Sequence, residues 1–196
     1  QKIEEYRKQI EKAASIEMLM GIEGNIRKTY YSSWKNIIDQ EIEFDKRVMN
    51  PPDNRMNSLI SFVNMLIYTK VLTEIYHTQL NPTISYLHEP GTRRFSLSLD
   101  IAEIFKPLII DPIIFSLVNN KRLNKSDFTY EEEICYLNES GKKKFLSDFE
   151  GKMNTTIKHR KLNRQVSYRY FIRLECYKLI KHFIGDEKYK VLKAWW

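Results

Sequence analysis

At 196 residues, with 29% charged side chains and only six Gly and six Pro, the chain has an ordered composition and room for one domain with a real core. Cys135 and Cys176 lie far apart with no C-x-x-C spacing, which argues against a zinc site or disulfide framework and for a reducing cytoplasm. The net charge of +7 gathers at one end: residues 141–196 carry 15 basic against 5 acidic side chains, residues 1–140 carry 17 against 20, and such a tail suits either a polyanion partner or a solvated face.

The chain starts at Gln1 rather than Met, as a fragment or processed product would, and shows no secretion signal. Residues 2–13 predict a charged amphipathic helix with Ile3, Tyr6 and Ile10 on one stripe. Ser15 is placed to N-cap a second helix reaching about Ile38, with its apolar stripe running through Ile16, Leu19, Met20, Ile26, Tyr30, Trp34 and Ile37. After Pro51-Pro52, the run from Leu59 to Tyr76 is apolar nearly all round, as expected for a helix at the centre of a domain. Its longest apolar stretch, Ser58–Tyr68, contains Asn64 and falls short of the ~20 residues of a membrane span.

A loop follows, then a short helix over Ser96–Phe105. Pro107 either kinks it or starts the next helix, which carries Leu108 to Leu117. Further helices are predicted near Ser140–Met153 and Ser167–Ile184, the second closed by Gly185. Glu131–Leu137 could hold a short extended piece, but no alternation is long enough for a sheet. The expected architecture is all-α and single-domain.

Three places could carry chemistry. Glu23 falls within the apolar stripe of the second helix, where a buried carboxylate must find a cation or donors: an arginine such as Arg55, a proton, or a metal. His88 sits in the loop before a helix that presents Asp100 and Glu103 at i and i+3, on one face. An imidazole with carboxylates is a donor set for Mg²⁺ or Mn²⁺, and Arg93 and Arg94 lie between them. Glu74 and His77 form a Glu-x-x-His pair, but a di-iron bundle needs a second copy and the chain has none. There is no P-loop, G-x-G-x-x-G or G-x-S-x-G motif; His159 and His182 read as surface residues.

Read in order, Gly21-Ile22-Glu23-Gly24, Pro51-Pro52-Asp53-Asn54-Arg55-Met56-Asn57, Pro82 through His88 and Ser96 through Pro107 resemble the CRISPR-associated integrase family, the metal-dependent DNA nuclease–integrases of spacer acquisition. The likeness runs from about Ser15 to Ser126-Asp127-Phe128 and weakens toward the end. Asn81, Ser85, Lys106 and Ile26-Arg27 depart from the family's commoner residues without touching the candidate ligands.

The resemblance implies that residues 1–196 are the helical catalytic domain, and that the family's N-terminal β-rich domain has no counterpart in the chain. It implies Glu23, His88 and Glu103 as ligands of one Mg²⁺ or Mn²⁺, with Asp100 in a supporting role and Tyr68 on the substrate side. Tyr68 reads equally as a core residue with a satisfied hydroxyl. Arg93 and Arg94 would clamp phosphate, or else belong to a solvated loop. In the basic tail, Lys158, Arg160 and Arg164 are candidate contacts to the DNA backbone.

The implied partners are duplex DNA, as spacer precursor and repeat, and a second small CRISPR adaptation protein. The family's homodimer forms through the missing domain, so its formation here is in question. Two rivals remain open from the sequence: a non-catalytic DNA-binding scaffold, and a repair nuclease or junction resolvase on the same fold.

Overall fold

The α-helices among the described residues follow largely from caps and periodicity that the sequence displays. A computed structural model describes residues 2–38, 42, 44–49, 51–87 and 95–195. In order they form α1 (Lys2–Ile10), α2 (Ile16–Trp34), α3 (Arg55–Tyr76), α4 (Ser96–Phe105), α5 (Asp111–Asn119), hairpin β1 (Phe128–Glu131) and β2 (Ile134–Leu137), α6 (Glu139–Asn154), hairpin β3 (Thr156–His159) and β4 (Arg164–Ser167), and α7 (Tyr168–Phe183). The fold is mostly helical.

Ser15 and Gly185 take the places expected of them, and Ser167 adds a cap at the start of α7. Ser15 Oγ accepts the Met18 N–H at 3.2 Å, Ser167 Oγ accepts the Tyr170 N–H at 3.2 Å, and Gly185 follows α7 with φ +77°. Both hairpins are antiparallel, registered Phe128↔Leu137 and Thr156↔Ser167. The first contains the extended piece expected within residues 131–137. The second is a correction, since TIKH and RQVS are too short to display alternation. Its turn relies on Asn163 at φ 50°, a residue type that tolerates the left-handed region.

By its contacts the chain forms two compact units, Gln1–Ser61 with Leu117–Gly141, and Phe62–Ser116 with Lys142–Trp196. In the first, α1 packs on α2, and Trp34, 1% exposed, sits among the rings of Tyr30, Tyr31 and Phe44. The predicted stripe of α2 is only partly the buried one. Ile16, Met20 and Ile37 are exposed, whereas Ile22, Trp34 and Ile38 are buried. Periodicity marks an apolar face, and the short, charged α1 that packs on α2 leaves part of that face exposed.

Arg47 ties the loop before α3 to that helix, donating to Asn57 Oδ1 at 3.2 Å and Ser61 Oγ at 2.8 Å. Asn54 Oδ1 caps α3 by accepting the Asn57 N–H at 2.9 Å.

Gly141, in the first turn of α6, is a close-approach position. A Cβ there would stand 2.5 Å from Leu137 Cδ1 and 2.9 Å from the Asp127 carbonyl oxygen. Asp127 is itself fixed by Ser140 Oγ and the Asn124 N–H. Gly141→Ala is therefore expected to destabilise the protein by about 2 kcal/mol through overpacking, measured by chemical denaturation, despite alanine's better helix propensity.

In the second unit the core gathers Val63, Ile67, Phe105, Ile109, Phe145, Phe171 and Ile172, all nearly inaccessible. α3, longer than the apolar run in the sequence, has an 18-residue window of mean hydropathy 1.3, enough by length and composition alone to cross a membrane. Its apolarity is accounted for by Met56, Leu59, Ile60, Val63, Ile67, Val71 and Ile75, all buried in protein.

Glu74, also on α3, is 2% exposed and accepts a 2.8 Å hydrogen bond from Arg173 Nε of α7. The Glu-x-x-His pair is thus divided: its glutamate anchors α7, and His77 is exposed.

Pro107 stands at the start of the next helical element, as one of the two sequence readings had it, but that element is a π-helical turn that follows α4 directly. With no N–H of its own, the proline lies in this turn, Lys106–Ile110, in which the Asp111 N–H reaches back to the Lys106 carbonyl. α4 and α5 are joined through this widened turn.

Candidate metal centre

The loop before α4 is held by a run of short hydrogen bonds. Asn81 Oδ1 accepts the Thr83 N–H at 3.0 Å, an Asx turn that serves as well as the family's commoner Asp would. The Leu97 N–H, left without a helical partner at the start of α4, reaches the Pro82 carbonyl at 3.0 Å, and Ser96 Oγ reaches that of Thr83 at 3.2 Å.

Asp100 Oδ2 then accepts two backbone N–H groups, from Tyr86 at 2.8 Å and Leu87 at 3.2 Å. Asp100 therefore fixes the chain at Tyr86 and Leu87, immediately before His88. His88, Arg93 and Arg94 lie outside the described residues.

One turn further along α4, Glu103 is partly exposed, and its Oε1 accepts Lys106 Nζ at 2.5 Å. The same ammonium donates to Tyr68 Oη at 2.7 Å and lies 4.7 Å from the Tyr68 ring centroid. Tyr68, Lys106 and Glu103 thus form one hydrogen-bonded chain between α3 and the π turn. Lys106 is the residue that sequence reasoning missed.

Its side chain is only 9% exposed, and a buried ammonium is retained only with a paired carboxylate and a further acceptor, both present here. The available signals were its i+3 spacing from Glu103 and its place before Pro107. Its depth is set by the widened turn, which the sequence does not reveal.

In the first unit Glu23 is half-buried and does not point into a core. Its Oε1 accepts Arg27 Nη2 at 2.6 Å, one turn along its own helix. Arg55, one of the partners the sequence left open for Glu23, has its guanidinium 5.5 Å over the Tyr130 ring instead. Beside Glu23, a Cβ at Gly21 or Gly24 would meet nothing within 4 Å, so this side of α2 is open.

Among the described residues no three His, Cys, Asp or Glu side chains gather into a metal-sized cluster. With one proposed ligand outside those residues, the fit of a cation rests on donor chemistry. Glu23 and Glu103 are ionisable hard-oxygen donors, and each already draws a cationic side chain to Oε1.

Several basic residues of the second unit lie on aromatic rings. Lys158 is exposed on β3, Arg160 stands 5.3 Å over Trp195, and Arg164 and Arg173 stand 5.4 and 5.8 Å from the ring of Tyr170. His182 is exposed, but His159 is not a plain surface residue: it stacks on Phe171 at 5.5 Å with Trp195 edge-on. Burial, and then the charges of Lys161, Lys178 and Arg164, lower its pKa and keep the imidazole neutral at pH 7. Burial pushes the Cys176 thiol up to about 12, which removes it as a nucleophile near neutrality.

Comparison with known proteins decides the family. The model of the family described as CRISPR associated protein Cas1 matches residues 1–151. The chain belongs to the Cas1 family. A CRISPR-associated endonuclease Cas1 of Fusobacterium nucleatum is 58% identical, covering 99% of this chain and 57% of the relative. One from Clostridium perfringens is also 58% identical, covering 99% and 60%.

The solved structure of a Cas1 protein from Thermotoga maritima superposes with a TM-score of 0.88 at 45% identity, over 96% of this chain and 58% of that one. The chain thus spans somewhat more than half the length of these Cas1 relatives.

Proposed function

We propose that residues 1–196 are the helical catalytic part of a metal-dependent DNA integrase and nuclease that inserts spacer DNA into a CRISPR array. The single observation that carries this reading is the Tyr68–Lys106–Glu103 chain beside a loop that Asp100 holds at His88's doorstep, in a member of the Cas1 family. Glu23, His88 and Glu103 would hold one Mg²⁺ or Mn²⁺. When bound, such a cation polarises a scissile phosphate and eases deprotonation of the attacking hydroxyl.

The chain's own groups do the rest. Asp100 fixes the backbone leading to the imidazole. Lys106 keeps the Glu103 carboxylate oriented, and its ammonium offers positive charge where the phosphate gains negative charge. Tyr68 anchors Lys106 from the substrate side. Arg93 and Arg94 would clamp phosphate. Lys158, Arg160 and Arg164 grip the backbone without reading sequence.

The attacking oxygen is the 3′-hydroxyl of the incoming DNA. A new phosphorus–oxygen bond forms to it as the repeat strand's own bond breaks, and the departing 3′-oxygen takes up a proton. Water in place of that hydroxyl gives nuclease action. The partners are duplex DNA and a second small adaptation protein; a homodimer belongs to the full-length members of the family.

Incubating labelled duplex with a repeat-bearing plasmid tests the reading. Strand transfer is expected in Mn²⁺ and not in EDTA. Metal-independent, salt-sensitive binding without any transfer would instead favour a scaffold.

A further inference from the structure

α7 ends on Phe183, and its ring lies flat on Tyr86, with centroids 5.8 Å apart and planes at 10°. Both rings are about half exposed, Tyr86 at 48% and Phe183 at 57%, so the pair is not simply part of the core. What it does is join the end of α7 to the loop that leads into His88.

Tyr86 is thereby held twice. Asp100 takes its backbone N–H from one side, and Phe183 takes its ring from the other. The end of α7 is itself braced. Glu175, 1% exposed, accepts Tyr189 Oη at 2.6 Å and the Leu192 N–H at 3.2 Å. Lys178 Nζ donates to the Lys190 carbonyl at 2.8 Å, and Lys181 pairs with Asp186 at 3.0 Å. The segment after Gly185 is thus fastened back onto the helix that carries Phe183.

We infer that Phe183 is a positioning residue for the metal centre, acting through Tyr86 and Asp100 to fix the chain entering His88. This rests on the proposed role of His88 as a ligand. A flat ring is the feature that matters, because stacking sets the tilt of Tyr86, whereas an aliphatic side chain of similar bulk does not. Partners that orient a ligand rather than bind the metal are commonly worth ten- to a hundredfold in metal affinity. Phe183 stands one step further out, so about tenfold is expected.

The test is Mn²⁺ affinity of the full polypeptide by calorimetry, for wild type, His88→Ala, Phe183→Ala, Phe183→Tyr, Phe183→Leu, Tyr86→Ala and the Tyr86→Ala/Phe183→Ala double variant. The expected result is a loss of about tenfold in F183A and F183L, recovery in F183Y, and no further loss in the double variant. Thermal midpoints should stay close to wild type, since Phe183 is half exposed.

Wild-type affinity in F183A, with H88A impaired, would overturn the inference while leaving the reading of His88 standing. Rescue by leucine equal to that by tyrosine would also overturn it. Wild-type affinity in H88A would remove the ligand role itself, and the inference with it.

Discussion

Replacing Glu103 by alanine is expected to lower metal-dependent strand transfer by at least about a thousandfold, roughly 4 kcal/mol of transition-state stabilisation, while DNA affinity changes little. The carboxylate has two tasks, as proposed metal ligand and as the partner that Lys106 meets at 2.5 Å. Alanine removes both, and leaves a nearly buried ammonium with Tyr68 Oη at 2.7 Å and no carboxylate contact at that oxygen's place. Some loss of stability should accompany the loss of activity.

Glu103→Gln separates the two tasks. The amide oxygen still accepts from Lys106, so folding should be near wild type, yet the anionic oxygen is gone. Both variants should therefore be inactive, with the glutamine variant folded and DNA-binding. Full transfer by Glu103→Gln, assayed at saturating Mn²⁺, would refute the assignment.

Arg173→Met is expected to destabilise the protein by about 3 kcal/mol, read by urea or guanidinium denaturation. The Glu74 carboxylate is 2% exposed, and Arg173 Nε at 2.8 Å is the cation that meets it. Removing one member of such a pair strands a charge in a poor solvent, which commonly costs 3–5 kcal/mol. The lower end applies because Arg173 is itself 27% exposed. In a protein of this length the loss amounts to a fall of about 6–12 °C in the thermal midpoint.

The companion variant Glu74→Leu/Arg173→Met should recover most of the deficit, since it leaves no unpaired charge. If the single variant were as stable as wild type, the pair would not be what fastens α7 to α3.

Most of the architecture could be read from the chain before folding because helices announce themselves locally. Ser15, Ser167 and Gly185 mark ends through hydrogen bonds and backbone freedom that belong to adjacent residues. The β3–β4 hairpin could not be read, since four-residue strands carry no period. Nor could the true buried face of α2, because an apolar stripe does not say what covers it: Met20 is exposed while Ile22 is buried.

In the candidate centre the acids were legible from order and spacing, and their partners were not. Asp100 caps two amides of the preceding loop, a local role that its residue type permits but does not dictate. Lys106 gained its place through a π turn at Pro107 and a contact to Tyr68 on a distant helix. Glu23 was expected to face a core and instead meets Arg27 at the surface of its own helix. Each miss concerns a neighbour that only the folded chain supplies.

The central claim is that two carboxylates and one imidazole clasp a single divalent cation. Calorimetric titration of Mn²⁺ into the wild-type polypeptide, beside Glu23→Gln, His88→Ala and Glu103→Gln, addresses it without any DNA. One ion per chain is expected for wild type, with affinity falling at least tenfold in each variant. One-to-one binding of unchanged strength in any of the three would contradict the shared site.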